Sequence, residues 1–418
     1  MLSSRRRTAL VAATACLALL PVQAGVSAAQ RPDADAGPAV YAVPGTDTGT
    51  RTQIQRIGAE VLSVSGNVAT VEATPQQAGQ LRAAGIDLGA GTPAADTLPE
   101  RGGQRAAAGD FPPGDEAYHT YDETVAELDR ISTEHPDVAA KTSIGTSFEG
   151  RDIPALKISD NVQEDEGEPE VLFDCNQHAR EHLTTEMCLR VAQRFTDERA
   201  RPENRAAAED RVLWVIPIVN PDGSAHDVES GQYQGWRKNR QDAGTDLNRN
   251  WGYKWGCCGG ASDDPNAETY RGPEAFSAPE TAALRDFIDS RVIGGEQRIK
   301  AAIDFHTYSE LVLWPFGHTT DDTTEGMTQE QYDRFERVGT EMAGTNGYTP
   351  QQSSDLYITD GDVLDWMWSE HEILAYTFEM YPAESGGLDG FYPPGDVIDR
   401  ETQRNDQAVD VLLREAGA

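Results

Sequence analysis

The chain has 418 residues, and its 70 acidic side chains against 35 Lys and Arg leave a formal charge of −35. That balance excludes a binder of nucleic-acid backbones, whose affinity comes from clustered Lys and Arg. With 38% hydrophobic residues, 7 Trp, 13 Tyr and 11 Phe, the chain can build a packed core, so wholesale disorder is excluded, and the lack of internal repeats removes solenoid and fibrous folds.

Residues 1–28 read as an export signal: Arg5, Arg6 and Arg7, an apolar stretch over 8–20, then small residues around Ala28. The apolar run is shorter than the ~20 residues that cross a bilayer, so the expectation is a secreted, extracellular protein that leaves the membrane, by either the general or the twin-arginine route. Cys16 departs with the signal, leaving Cys175, Cys188, Cys257 and Cys258, an even number suited to disulfides in an oxidising compartment.

Residues 29–109 form the next unit. The first 109 residues carry nine Arg, no Lys and eight acidic residues, so the acidity lies almost entirely beyond them. Residues 57–71 alternate like two short strands around Ser65-Gly66-Asn67, and 74–84 predict a short helix ended by Gly85. A stretch over 89–109 has no hydrophobic pattern and offers Arg101 and Arg105 as accessible cleavage points. A signal, a small α+β domain and a cuttable linker ahead of a large domain make the layout of a zymogen cut by an activating protease. The competing reading is an accessory domain on a flexible linker.

From residue 110 to 418, predicted strands at 138–144, 155–158, 170–175, 212–219, 299–306, 310–314 and 373–379 alternate with helices near 124–134, 183–198, 278–291, 329–346, 362–370 and 397–415. The order predicts an α/β domain with a central mixed sheet covered by helices, whose ligands bind at strand ends. Three such ends carry polar groups: His178 to His182 after one strand, His306 to Tyr308 after a second, Glu379 at a third. Two His and a Glu match the ligand set of a catalytic zinc with an open position, and a further carboxylate suits a general base. On spacing alone His182 could replace either histidine.

These residues resemble the secreted zinc metallocarboxypeptidases of the pancreatic carboxypeptidase A and B type, closest to bacterial members of mixed specificity. The similarity runs from about Tyr118 to the C-terminus through HARE at 178–181, WRKNR at 236–240, DLNRNW at 246–251, HTY at 306–308, LYITDGD at 356–362 and YTFE at 376–379. The resemblance implies one zinc held by His178, Glu181 and His306, Glu379 as the base toward water at the zinc, and Arg237 polarising the scissile carbonyl. It implies that Asn248 and Arg249 grip the terminal carboxylate of a peptide or protein, that Tyr357 closes over it, and that Arg180 and Tyr308 line the cleft. Physically, a bidentate Arg fork with an amide donor is what recognition of a free carboxylate requires.

The resemblance also implies a Cys175–Cys188 disulfide beside the zinc loop; Cys257 and Cys258 are left to pair with each other or elsewhere. In the pocket for the departing side chain, Leu364 predicts acceptance of apolar residues and Asp362 recognition of basic ones, with helix capping assigned to Asp360. The acidic run 262–266 offers oxygen ligands to a structural calcium; a solvated loop is the alternative. A monomer is expected. The competing functions are a zinc amidohydrolase acting on cell-wall peptides or acyl-amino acids, and a peptide-binding module without catalysis. Glu379 discriminates against the latter, since binding needs no general base.

Overall fold

The computed structural model describes residues 37–101 and 106–417; the expected export signal and Arg105 lie outside them. The N-terminal unit runs β1 (Ala39–Pro44), α1 (Thr48–Arg56), β2 (Glu60–Ser65), β3 (Val68–Ala73), α2 (Pro75–Ala83) and the two-residue β4 (Thr92–Pro93). Its sheet order is β2-β3-β1-β4. The expected strand pair turns at Gly66, where φ is +59°, and α2 begins with a capping box between Thr74 and Gln77. β1 and α1 were not expected. The α1 segment TGTRTQIQR has a polar, Thr-rich sequence with weak helix propensity; the Asp47 cap and the burial of Ile54 hold it.

The large domain contains α3 (Tyr121–Glu134), β5 (Ala139–Thr146), β6 (Asp152–Ile158), β7 (Glu170–Cys175), α4 (His182–Phe195), α5 (Pro202–Ala208), β8 (Val212–Ile216), α6 (Pro221–Val228) and α7 (Pro279–Ser290). A small hairpin of β9 (Val292–Ile293) and β10 (Glu296–Gln297) precedes β11 (Ile299–Thr307) and β12 (Leu311–Trp314). Then come α8 (Gln329–Asn346), β13 (Thr349–Gln352), α9 (Ser353–Leu356), α10 (Val363–His371), β14 (Leu374–Met380), α11 (Ile398–Gln403) and α12 (Asp406–Ala416). Eight strands form one mixed sheet in the order β13-β12-β14-β11-β7-β8-β6-β5. Its centre, β14, β11, β7 and β8, is parallel, while β12 against β14, and β6 against both β8 and β5, are antiparallel.

Alternation along the strands fills two cores, one on each face. Val171, Phe173, Ile303 and Phe305 pack with Leu183, Val338 and Leu412 on one side. Leu172 and Ala302 join Leu284, Ile288 and Trp366 on the other. A parallel strand buried on both faces reads as a continuous apolar run, which is why the central strands were legible. β13 was missed: TPQQ is polar and carries Pro350, tolerated because the strand lies at the sheet edge.

The expected helix over 397–415 is two helices. Between them Asn405 is buried and hydrogen-bonded, accepting from Asn346 Nδ2 at 2.9 Å and donating to the Glu401 carbonyl at 3.0 Å. Cys175 is bonded to Cys188, tying the end of β7 to α4, and Cys257 is bonded to its neighbour Cys258. Arg101 is not a free cleavage point, because its guanidinium donates to Asp115 at 2.6 Å and to the Tyr392 carbonyl at 2.7 Å. Among the described residues no helix is long and apolar enough to cross a membrane.

Candidate metal centre and active site

The parallel strands β7, β11 and β14 end side by side, and their ends carry the chemistry. β7 is followed by a tight turn that places His178 and Glu181 just ahead of α4. His306 lies near the end of β11, directly opposite Glu379 of β14 in the parallel ladder. His178 Nδ1 sits 2.9 Å from Glu181 Oε1, His306 Nδ1 sits 2.9 Å from Glu181 Oε2, and the two Nδ1 atoms are 3.0 Å apart. All three side chains are buried.

The outer nitrogens of both imidazoles face carboxylates. His306 Nε2 is 2.7 Å from Asp304 Oδ2, and His178 Nε2 is 3.0 Å from Asp246 Oδ1. A proton on each Nε2, donated to a carboxylate, leaves each Nδ1 with a lone pair directed at the other ring and at Glu181. Two such lone pairs at 3.0 Å beside a carboxylate suit a cation, and a carboxylate behind each imidazole is the usual support of a metal-ligating histidine. The residues fit zinc with three protein ligands and an open position. His182 is excluded: its Nε2 pairs with Asp227 at 2.9 Å and its ring packs on Phe111, away from the donor set.

Asp246 joins the metal ligands to the rest of the site. Besides His178 it accepts from Arg237 Nη2 at 3.0 Å and Nε at 3.3 Å, and from the Asn248 amide at 3.0 Å. Against the cost of burial, Arg237 and His178 hold its carboxyl well below the usual range. In the sequence Asp246 stands in the DLNRNW motif with no mark of this role, and Asp304, two residues before His306 and therefore on the same face of β11, carries no motif signal at all.

One cavity is lined by His178, Glu181, His306, Glu379, Arg237, Asn248, Arg249, Tyr308, Tyr357, Asp362 and Leu364. Glu379 is only partly covered. Burial pushes it up to about 8, and His306 pulls against that. A cation at the donor set would pull further in the same direction, toward the range where a carboxylate both takes and returns a proton at neutral pH. Asn248 Oδ1 is occupied by the Val363 amide at 2.9 Å, and Tyr308 donates to the Gly387 carbonyl at 3.0 Å. Arg180 does not line the cavity. It is fully buried, with its guanidinium 4.0 Å from the centre of the Phe391 ring.

The cap of α10 is Asp362, not Asp360. Asp362 Oδ1 accepts from the Asp365 amide at 2.9 Å and Oδ2 from Thr359 at 2.5 Å, and burial, helped by Asp365, pushes it up to about 7. Asp360 instead accepts from the Cys258 and Gly260 amides. The 262–266 run gathers no calcium ligands among the described residues: Ser262 Oγ and Asp264 Oδ1 accept from amides of their own loop.

The N-terminal unit sits on this site. Glu60 and Glu72 are cross-strand partners on β2 and β3; Glu60 Oε1 accepts from Arg180 Nη2 at 2.5 Å and Arg237 Nη1 at 3.0 Å, while Glu72 lies 3.7 Å from Arg180. Arg51 of α1 donates to the carbonyls of Leu356 at 2.5 Å and Asp355 at 2.9 Å, and Thr52 accepts from the Ile358 amide at 3.0 Å. These contacts hold both sides of Tyr357, whose ring packs on the core of the N-terminal unit. Nothing in the linear sequence marks Glu60 or Arg51 for this, since their partners lie more than a hundred residues away.

A profile of the zinc carboxypeptidase family matches residues 124–408. A zinc carboxypeptidase of Saccharothrix mutabilis subsp. capreolus is 46% identical over 434 residues, covering 99% of this chain and 97% of its own. Mouse carboxypeptidase A1 is 32% identical over 67% of this chain and 66% of its own. Among solved structures, carboxypeptidase A from Helicoverpa armigera shares the fold with a TM-score of 0.73 at 24% identity, over 91% of this chain and 98% of that one. Bovine thrombin-activatable fibrinolysis inhibitor, solved with a tick carboxypeptidase inhibitor, gives 0.60 at 25% identity over 72% and 97%.

Because one carboxylate supports both His178 and Arg237, Asp246→Asn is expected to weaken zinc binding roughly 10- to 100-fold with the fold intact. Competition with a chelator, alongside circular dichroism, checks this.

Proposed function

The chain belongs to the zinc carboxypeptidase family and is a zinc metallocarboxypeptidase acting on peptide C-termini, and we propose that it is exported as a monomeric zymogen, residues 29–109 being a propeptide, and releases single hydrophobic or basic residues. The observation that carries this reading is the convergence of the His178–Glu181–His306 donor set, Glu379, Arg237 and the Asn248–Arg249 pair on one cavity.

Zinc bound there supplies a Lewis acid that acidifies water and polarises the scissile carbonyl. Glu379 takes the proton from the attacking water and passes it to the leaving amine. Arg237, held by Asp246, directs N–H groups at the oxygen that gains charge in the transition state. Arg249 and Asn248 hold the substrate's terminal carboxylate, which fixes the distance from chain end to cut. Tyr357 closes over the bound end and Tyr308 lines the cleft. Arg180, buried outside the cavity, anchors Glu60. A binding module without catalysis would have no use for Glu379 beside the donor set.

In the precursor, Glu60 holds Arg237, and Arg51 with Thr52 holds the backbone around Tyr357. Both the oxyanion donor and the closing tyrosine are therefore engaged by the N-terminal unit. Cutting within 101–109 by an activating protease lets the unit leave.

Glu379→Gln is expected to keep its zinc and lower kcat by at least ~10²-fold, read from metal analysis and steady-state kinetics on the same sample. Near-normal turnover would move the base elsewhere; loss of zinc would make Glu379 a ligand.

The precursor is expected to be nearly inactive, to gain activity on limited proteolysis within 101–109, and to leak activity as Glu60→Ala. Release depends on pH through Glu72, which burial pushes up to about 8 from the 4.5 of a free glutamate, with Arg180 opposing and Glu268 adding to the rise. The bound unit holds the extra proton, so its grip is complete below about 4.5 and fades as pH rises through 8. Dissociation of the cut propeptide, followed by gel filtration, should be faster at pH 8 than at pH 5.

For the departing residue, Asp362→Asn keeps the helix cap and removes the charge. Hydrolysis of terminal Arg or Lys should fall selectively against terminal Phe or Leu. In the wild type, with Asp362 near 7, the ratio of basic to apolar rates should climb between pH 6 and 8. An equal fall for both substrate classes rejects the assignment.

A further inference from the structure

We propose that Asp360, which does not line the cavity, is the positioning residue for Arg249 and acts through the backbone of the Cys257–Gly260 loop. The proposal rests on the reading of Arg249 as the grip on the substrate's carboxylate.

The guanidinium of Arg249 is buried and oriented by two carbonyls: Nε donates to Gly260 at 3.1 Å and Nη1 to Asn248 at 2.6 Å. Among the described residues no hydrogen bond uses Nη2, which remains for a ligand in the cavity that Arg249 lines. The direction of the fork therefore depends on where the Gly260 carbonyl is held. That carbonyl belongs to a loop without regular secondary structure, open to solvent at Cys257.

Asp360 holds it. One carboxylate oxygen accepts from the Gly260 amide and the other from the Cys258 amide at 3.4 Å. A single side chain thus pins two amides of a four-residue loop, which needs two acceptor oxygens; an amide side chain has one, and its NH₂ would face a donor. Asp360 is 1% exposed and forms no ion pair within 4.0 Å among the described residues. Burying a carboxylate in that way is costly unless its hydrogen bonds are needed.

Two further constraints make the loop and the Tyr357 segment one frame. A Cβ on Gly260 would meet the Ile358 carbonyl oxygen at 2.2 Å and Thr359 Cα at 2.5 Å, so the backbones touch. The Trp251 amide donates to the Gly361 carbonyl at 2.9 Å, on the far side of Asp360. The Cys257–Cys258 ring closes the solvent side of the loop, where Cys257 is exposed. Moving the loop would therefore rotate Arg249 while leaving Glu379, Arg237 and the donor set where they are. The consequence is weaker binding of the carboxylate with the chemical step retained.

The test uses the full chain cut within 101–109, as wild type, Asp360→Asn, Gly260→Ala and Arg249→Met. The probes are a peptide with a free terminal carboxylate, 3-phenylpropanoate as a competing carboxylate, and its neutral amide. Asp360→Asn and Gly260→Ala are each expected to raise KM and the Ki of 3-phenylpropanoate roughly tenfold, to keep kcat within about threefold, and to leave the Ki of the amide unchanged. In an Arg249→Met background Asp360→Asn should add nothing. If Arg249→Met raises Ki and Asp360→Asn does not, the positioning assignment is wrong. If Asp360→Asn lowers kcat and zinc content together, or weakens acid and amide alike, its part is only structural and the proposal fails. If Arg249→Met itself leaves the Ki of the acid unchanged, the reading of Arg249 falls instead.

Discussion

Two imidazole nitrogens and a carboxylate turned toward one point repel one another unless a cation sits between them, and the rest of the site is built around that constraint. Asp304 and Asp246 fix the outer nitrogens of His306 and His178, so the lone pairs have no choice of direction. Asp246 then carries the same order outward to Arg237 and to the amide of Asn248. In the proposed mechanism three functions, metal binding, oxyanion stabilisation and carboxylate recognition, share one buried carboxylate. Such an arrangement is stiff, since no member can move without leaving another polar group unpaired.

The N-terminal unit uses the same electrostatics in reverse. Glu60 and Glu72 face each other across two antiparallel strands, where like charges are destabilising. Docking sets them against Arg180 and Arg237. Arg237, which lines the cavity, and Arg180, buried behind it, are the groups that face these carboxylates. Burial raises the carboxyl of Glu72, against the pull of Arg180.

The parts of the fold that were readable are those whose physics is local. Central strands announced themselves as apolar runs, α2 by its Thr74 and Gln77 box, and the hairpin by Gly66. Elements held by distant partners did not: α1 is polar and leans on its cap, the buried Ile54 and the bonds of Arg51 and Thr52 to residues 355–358, β13 is four residues with a proline, and the break between α11 and α12 exists because Asn405 bonds to Asn346 across the fold. The sequence offers Asp360 and Asp362 as equal caps for α10, and Asp362 takes the role because capping geometry depends on φ and ψ rather than on composition.

By itself the sequence determined the ligand types, the strand ends that carry them and the family they resemble, because metal chemistry and carboxylate recognition need particular side chains in a particular order. Only the tertiary structure decided which histidine stands aside, since the His182 ring is turned onto Phe111 and Ser224 while Nδ1 of His178 faces Glu181 and His306. It also decided that Asp246 serves two masters, that Glu60 sits on the arginines, and that Asp360 braces a loop rather than a helix. Each of these depends on the direction of a side chain relative to a distant partner, which no linear spacing encodes.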